Sequence, residues 1–134
     1  MCLYKTHLLP KFSFKKKVIY KVVAEYSDLS WKTPFLRTKI KEGMVLKASQ
    51  NWLFNPFLYF VNGEGVHGYL TYKRAVEEKE RLDRFFFTRD SHFNLNFNFI
   101  VIQCEIPSFT FYWNGLKGEI AATKMIIKDK VKYI

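Results

Sequence analysis

Residues 93–107 read Phe-Asn-Leu-Asn-Phe-Asn-Phe-Ile-Val-Ile-Gln-Cys-Glu-Ile-Pro, and this stretch decides the fold class. Phe93, Leu95, Phe97 and Phe99 alternate with Asn94, Asn96 and Asn98, the two-residue period of a strand with one buried face. From Ile100 to Ile106 the alternation gives way to residues that are apolar on both faces, as in a strand at the centre of a sheet. Pro107 has no amide proton to continue a ladder and ends it.

Downstream, Phe109–Trp113 reads as another strand, Asn114-Gly115 as a hairpin signal, and Ile120–Ile127 and Val131–Ile134 as further extended pieces. Upstream, Val18–Tyr26 is rich in β-branched and aromatic residues and reads as the first strand, with a second over Met44–Ala48 and a short extended piece over Phe35–Ile40. Tyr72–Arg84 is the one convincing helix, with Thr71 as its N-cap, Ala75, Val76 and Leu82 as an apolar stripe, and Glu77–Arg81 and Glu80–Arg84 as supporting pairs. The order β-β-α-β-β-β predicts an α+β domain: a mostly antiparallel, curved sheet with one main helix, at about 72–84. Residues 1–134 are expected to form a single domain, with 1–17 a basic N-terminal arm resting on the body through Leu3, Tyr4, Phe12 and Phe14. The apolar stretch 51–60, interrupted by Asn55-Pro56, is expected to cover the core, a pocket or an interface.

The chain has 134 residues, 49% hydrophobic and 25% charged, which is globular composition and excludes disorder. No apolar run is long enough to cross a bilayer, and the first residues lack the apolar core of a secretory leader, so no membrane partner is expected and the expected compartment is the cytoplasm. The net charge is +10 and is uneven. Residues 1–50 carry eleven Lys and Arg against Glu25, Asp28 and Glu42, a net +8, while residues 51–134 are near balance at +2. Such a field draws anions: nucleotides, nucleic acid or acidic proteins. The fourteen Phe are expected in the core, and the Tyr and Trp residues are the expected platforms for a base.

The sequence carries no catalytic motif. Cys2 and Cys104 form neither a zinc set nor a Cys-x-x-Cys, and Cys104 reads as a small buried apolar residue. His7, His67 and His92 lack ligand spacing, so no metal or cofactor is expected. His67 stands out because it follows the Asn62-Gly63-Glu64-Gly65 turn, is flanked by Gly65 and Gly68, and precedes the helix, a place where a phosphate or ribose could approach the backbone.

Several short pieces also resemble a known group of proteins: Met1-Cys2-Leu3-Tyr4, Tyr20-Lys21-Val22-Val23, Thr33-Pro34-Phe35, Gly65-Val66-His67-Gly68-Tyr69 followed by Ala75, Val101-Ile102-Gln103-Cys104-Glu105-Ile106-Pro107, Tyr112 with Gly115, and Ala122-Thr123-Lys124-Met125-Ile126-Ile127. In that order they resemble a family of small, largely uncharacterised proteins of bacteriophages and Bacteroidetes. The Gly-x-His-x-Tyr, helix and long-strand succession is also distantly similar to the later half of ADP-ribosyltransferase folds, without a counterpart of the catalytic acid. The resemblance implies a viral protein working in the host cytoplasm and an adenine-nucleotide pocket without transferase chemistry.

Three functions follow as expectations. The first is a non-enzymatic binder that sequesters an anionic nucleotide-type ligand, as a phage counter-defence sponge would. In it Lys21, Arg37 and Lys124 meet phosphate, His67 meets phosphate or ribose, and Tyr69, Tyr112 and Trp113 stack on the base. The second is a small enzyme of ADP-ribosyl or phosphodiester type, with His67 polarising a phosphate and Glu64, Glu105 or Glu119 as base. The third is a binder of nucleic acid or a protein partner through the basic first half. Whether the chain forms a homo-oligomer is open.

Overall fold

The computed structural model describes residues 3–4, 6, 9–34, 38–48, 59–60, 66–87 and 96–131. In chain order these form β1 (Leu3–Tyr4), β2 (Lys11–Ser13), β3 (Lys17–Tyr26), β4 (Trp31–Lys32), β5 (Lys39–Ile40), β6 (Val45–Lys47), β7 (Tyr59–Phe60), β8 (Val66–Tyr69), α1 (Tyr72–Phe87), β9 (Phe97–Ile106), β10 (Thr110–Asn114), β11 (Glu119–Ala122) and β12 (Lys124–Lys130). The architecture is α+β, an antiparallel sheet with one helix, as the strand-rich pattern predicts.

The main sheet runs β2-β10-β11-β8-β3-β9-β12-β6, with β4 and β5 added beside β3. Its centre is the pair β3–β9, antiparallel along the full ten residues of each, from Lys17 opposite Ile106 to Tyr26 opposite Phe97. Phe97–Ile106 is thus a central strand. Residues 91–95, His92 among them, fall outside the described residues, as do 51–58, 61–65, His7 and Arg37.

The pleat divides the core in two. One face gathers Ile19, Val23, Ile102, Cys104, Met125 and Ile127, and the sheet curves around them. The other face, with Val22, Ala24, Phe99 and Val101, is covered by α1 through Ala75 and Leu82, both at most 2% exposed. Thr71 caps α1 as expected, its Oγ1 accepting from the Arg74 amide at 3.2 Å. One ion pair on the helix differs from expectation: Arg81 meets Glu78 and not Glu77, which meets Arg74 instead, because Glu78 lies three residues after Ala75 on the buried stripe and needs a cation beside it.

Four sequence expectations are corrected. Residues 11–13 are not an irregular arm but the edge strand β2, paired with β10 (Phe12 opposite Phe111). Residues 120–127 are not one strand: the chain changes partners at Thr123, β11 pairing with β10 and β8 while β12 pairs with β9 and β6, so the sheet curls until β11 runs into β12. Val66–Tyr69, expected only as the link from the turn at 62–65 to the helix, is a strand with all four residues buried. The fourth is the place of the phenylalanines. Phe86, Phe97 and Phe99 pack together as expected of core rings, but Phe12, Phe14, Phe109 and Phe111 are 37, 75, 70 and 40% exposed.

Gly68 is where β8 comes closest to β3. A Cβ there would lie 3.0 Å from the Tyr20 carbonyl oxygen and 3.0 Å from Ile19 Cδ1, so only glycine fits.

Candidate functional site

The described residues among those proposed from sequence are spread over β3, β8, β10 and β12. His67 lies inside β8 opposite Ala121 and is 8% exposed, with α1 beginning only at Tyr72. The β3–β8 register holds at a single pair, Tyr20 opposite Tyr69, and just beyond it Lys21 Nζ donates to the His67 carbonyl at 2.8 Å. The ammonium thus fills a gap in the ladder. Burial pulls the Lys21 pKa below the ordinary lysine value, and the neighbouring Cys104 opposes that shift. The Cys104 thiol, fully enclosed, is pushed up to about 11 by burial. It is a small core residue, as its sequence context predicts, and burial keeps it a thiol and not a thiolate.

Tyr112 and Trp113 are consecutive on β10, so their side chains leave opposite faces. Tyr112 joins the curved face, with Lys17 Nζ 5.1 Å from its ring centre, and Trp113 is fully enclosed on the other. They cannot sandwich one base. Lys124 is exposed at the start of β12, directly opposite Lys47 of β6 and two residues beyond Ala122, the register partner of Tyr112. Arg37 and Glu64 lie outside the described residues.

Tyr69 belongs to a polar cluster where α1 meets β8 and β11. The Arg74 guanidinium lies 5.1 Å from its ring centre, donates through Nε to the Lys117 carbonyl at 2.8 Å, and approaches Glu119 at 3.7 Å. Glu78, 5% exposed, takes a two-pronged contact from Arg81. Burial, reinforced by Glu78 and Glu119, raises the Tyr69 phenol. Burial also raises the Glu119 carboxyl, against the pull of Arg74. The two arginines and two carboxylates neutralise one another and tie the turn at 116–118 to the helix. Glu105, another candidate base, bridges Lys16 at 3.8 Å and Lys128 at 3.9 Å on the sheet surface. In the contacts described, both Glu119 and Glu105 are paired with cations.

A groove of about 400 Å³ opens at the far end of the β3–β9 pair, lined by Glu25, Tyr26, Ser27, Leu29, Asn96 and Phe97. Glu25 there accepts from Trp31 Nε1 at 2.9 Å and from Lys130 Nζ at 3.0 Å. A carboxylate in its wall makes this groove a poor seat for an anion.

The basic, ring-bearing surface is elsewhere, at the corner where β2 leads into β3. Lys11-Phe12-Ser13-Phe14-Lys15-Lys16-Lys17 carries exposed Lys11, Lys15 and Lys16 around exposed Phe12 and Phe14. Phe12 is the hub: its ring centre is 5.4 Å from Phe14, 5.0 Å from Phe111 and 6.0 Å from Phe109. The corner is pinned from beneath by Ser13, 2% exposed, whose Oγ lies 2.9 Å from the Pro107 carbonyl and accepts from the Thr110 amide at 3.0 Å. Phe109 holds a left-handed backbone, φ 61°. That region strains a side chain as bulky as phenylalanine. The signal in the sequence was the Lys-Phe-x-Phe-Lys alternation; it was hidden by the general rule that phenylalanine is a core residue.

Among the described residues no group of three His, Cys, Asp or Glu could hold a metal ion, and no helix is long and apolar enough to cross a membrane. Compared with known proteins, the chain matches no family model, no curated protein and no solved structure.

Proposed function

We propose that the protein is a non-catalytic binder of a phosphate-bearing, nucleotide-type anion, engaged through its basic first half. The observation that carries this reading is the β2–β3 corner, where exposed Lys11, Lys15 and Lys16 surround exposed aromatic rings on a rigid turn. Glu105 is the one carboxylate described in contact with these lysines, so the corner keeps a positive field. Among the described candidate acids, Glu105 is matched by lysines and Glu119 by arginine, which supports binding over chemistry. Lys21, His67 and Trp113 support the body of the fold beneath this surface, with their side chains engaged in or enclosed by the sheet. If the viral setting implied by the sequence resemblance holds, the role is sequestration of a nucleotide or nucleic acid of the host.

Thermal-shift titration with nucleoside mono-, di- and triphosphates, cyclic dinucleotides, inorganic polyphosphate and oligonucleotides tests it. Stabilisation is expected from at least one of them, by about 2.7 kcal/mol at a hundredfold excess over Kd. The ligand should be recovered unchanged by chromatography. Absence of any shift across the whole set refutes anion binding, and a converted ligand refutes the non-catalytic part.

A further inference from the structure

We infer that the four exposed phenylalanines at the β2–β10 edge form a stacking platform for single-stranded nucleic acid, an inference that rests on the anion-binding reading and names its partner. Four rings, three of them with centres within 6.0 Å of the fourth and all at least 37% exposed, are an apolar patch of the kind that marks an interaction site. The choice of occupant comes from charge. The rings do not stand alone but are threaded between Lys11, Lys15 and Lys16, so the partner must offer flat apolar faces and regularly spaced negative charge together. Unpaired bases on a phosphate backbone do both, and stacking on aromatic side chains with lysines along the backbone is how such strands are bound without sequence preference. A duplex hides its base faces and offers only phosphates.

The platform is held ready before any partner arrives. Phe12 and Phe111 are register partners across β2 and β10, and Ser13 ties the β2–β3 link that begins with Phe14 to the β9–β10 link that carries Phe109. Phe109 keeps its strained φ of 61° with its ring 70% exposed, an arrangement that does nothing for the core. Local strain retained at an exposed ring is a mark of function.

The test uses the full chain and a fluorescently labelled oligothymidylate of about 12 nucleotides, followed by anisotropy. Phe12→Ala and Phe14→Ala should each weaken binding by roughly 5- to 100-fold while leaving polyphosphate binding within about twofold. Phe14→Tyr should retain affinity and Phe14→Leu should lose it, since both keep apolar bulk and only tyrosine keeps the ring. Phe14 is 75% exposed, so these variants should fold as the parent does, checked by circular dichroism. Replacing Lys11, Lys15 and Lys16 together by Ala should flatten the plot of log K against log salt by about 2.

Equal binding of single strand, duplex and polyphosphate, with silent Phe variants, overturns the platform and leaves the anion reading standing. Failure of every anion to bind removes both. If the Phe variants instead abolish sedimentation with phosphatidylglycerol vesicles, or convert a dimer to a monomer, while oligothymidylate binding is unchanged, the patch belongs to a membrane surface or a second copy and the inference is wrong.

Discussion

At the scale of single residues, two positions show opposite relations between stability and use. Gly68 is demanded by packing: a methyl group would press on the Tyr20 carbonyl, which is backbone and cannot yield, as well as on Ile19. Gly68→Ala is therefore expected to destabilise the fold by about 1–3 kcal/mol, read as a lower urea midpoint. Phe109 is the reverse. Its left-handed φ is one that glycine takes without cost. Phe109→Gly should leave stability unchanged or raise it by up to about 1 kcal/mol while weakening oligonucleotide binding. A large loss of stability would show that the ring, despite its exposure, is structural. Neither position is legible from composition. The sequence suggests room for a ligand at Gly68, and the structure fills that room with a neighbouring strand. The apolar character of Phe109 suggests the core, and its ring faces solvent.

At the scale of elements, β3, β4 and β12 are joined by Glu25. Burial pushes its carboxyl up, but hydrogen bonds from Trp31 and Lys130 and the charge of Lys130 together outweigh that and hold it below the usual carboxylate value. A carboxyl whose folded pKa is depressed stabilises the fold above its unfolded pKa, and the contribution is lost as pH falls through the folded value. Trp31→Phe removes the donor and keeps most of the ring, so the Glu25 titration followed by carboxyl NMR should move upward toward the ordinary value. An unmoved midpoint would mean that Lys130 alone sets it. The helix was readable at this scale, N-cap included, because Thr71, the charged solvent face and the apolar stripe all agree on one period. What the pattern did not convey was that Glu78 lies in that stripe, because a buried carboxylate is tolerable only where Arg81 reaches it.

At the scale of the whole molecule, one sheet links residues 11–13 to residues 124–130 and both apolar clusters share β3 and β9. Unfolding should be a single transition, with far-ultraviolet circular dichroism and tryptophan fluorescence giving the same urea midpoint. Two separated midpoints would show that the β2-β10-β11 side melts apart from the β9-β12-β6 side. Charge is also a property of this scale. The excess of lysine in the first fifty residues was plain from counting, but whether it is spread evenly or set around a feature depends on where β2 and β3 turn.

The sequence alone determined the α+β class, the central strand ending at Pro107, the helix from Tyr72 and the basic character of the first half, because each depends on local period, turn chemistry or a simple count. Only the tertiary structure decided that the chain changes strand partners at Thr123, that Tyr112 and Trp113 part company across the sheet, and that Lys21 is turned inward to the His67 carbonyl. The physical reason is that strand pairing and solvent exposure are fixed by contacts between residues distant in the chain. A run of alternating residues states which side chains share a face, and only its neighbours state whether that face meets core, chain or water.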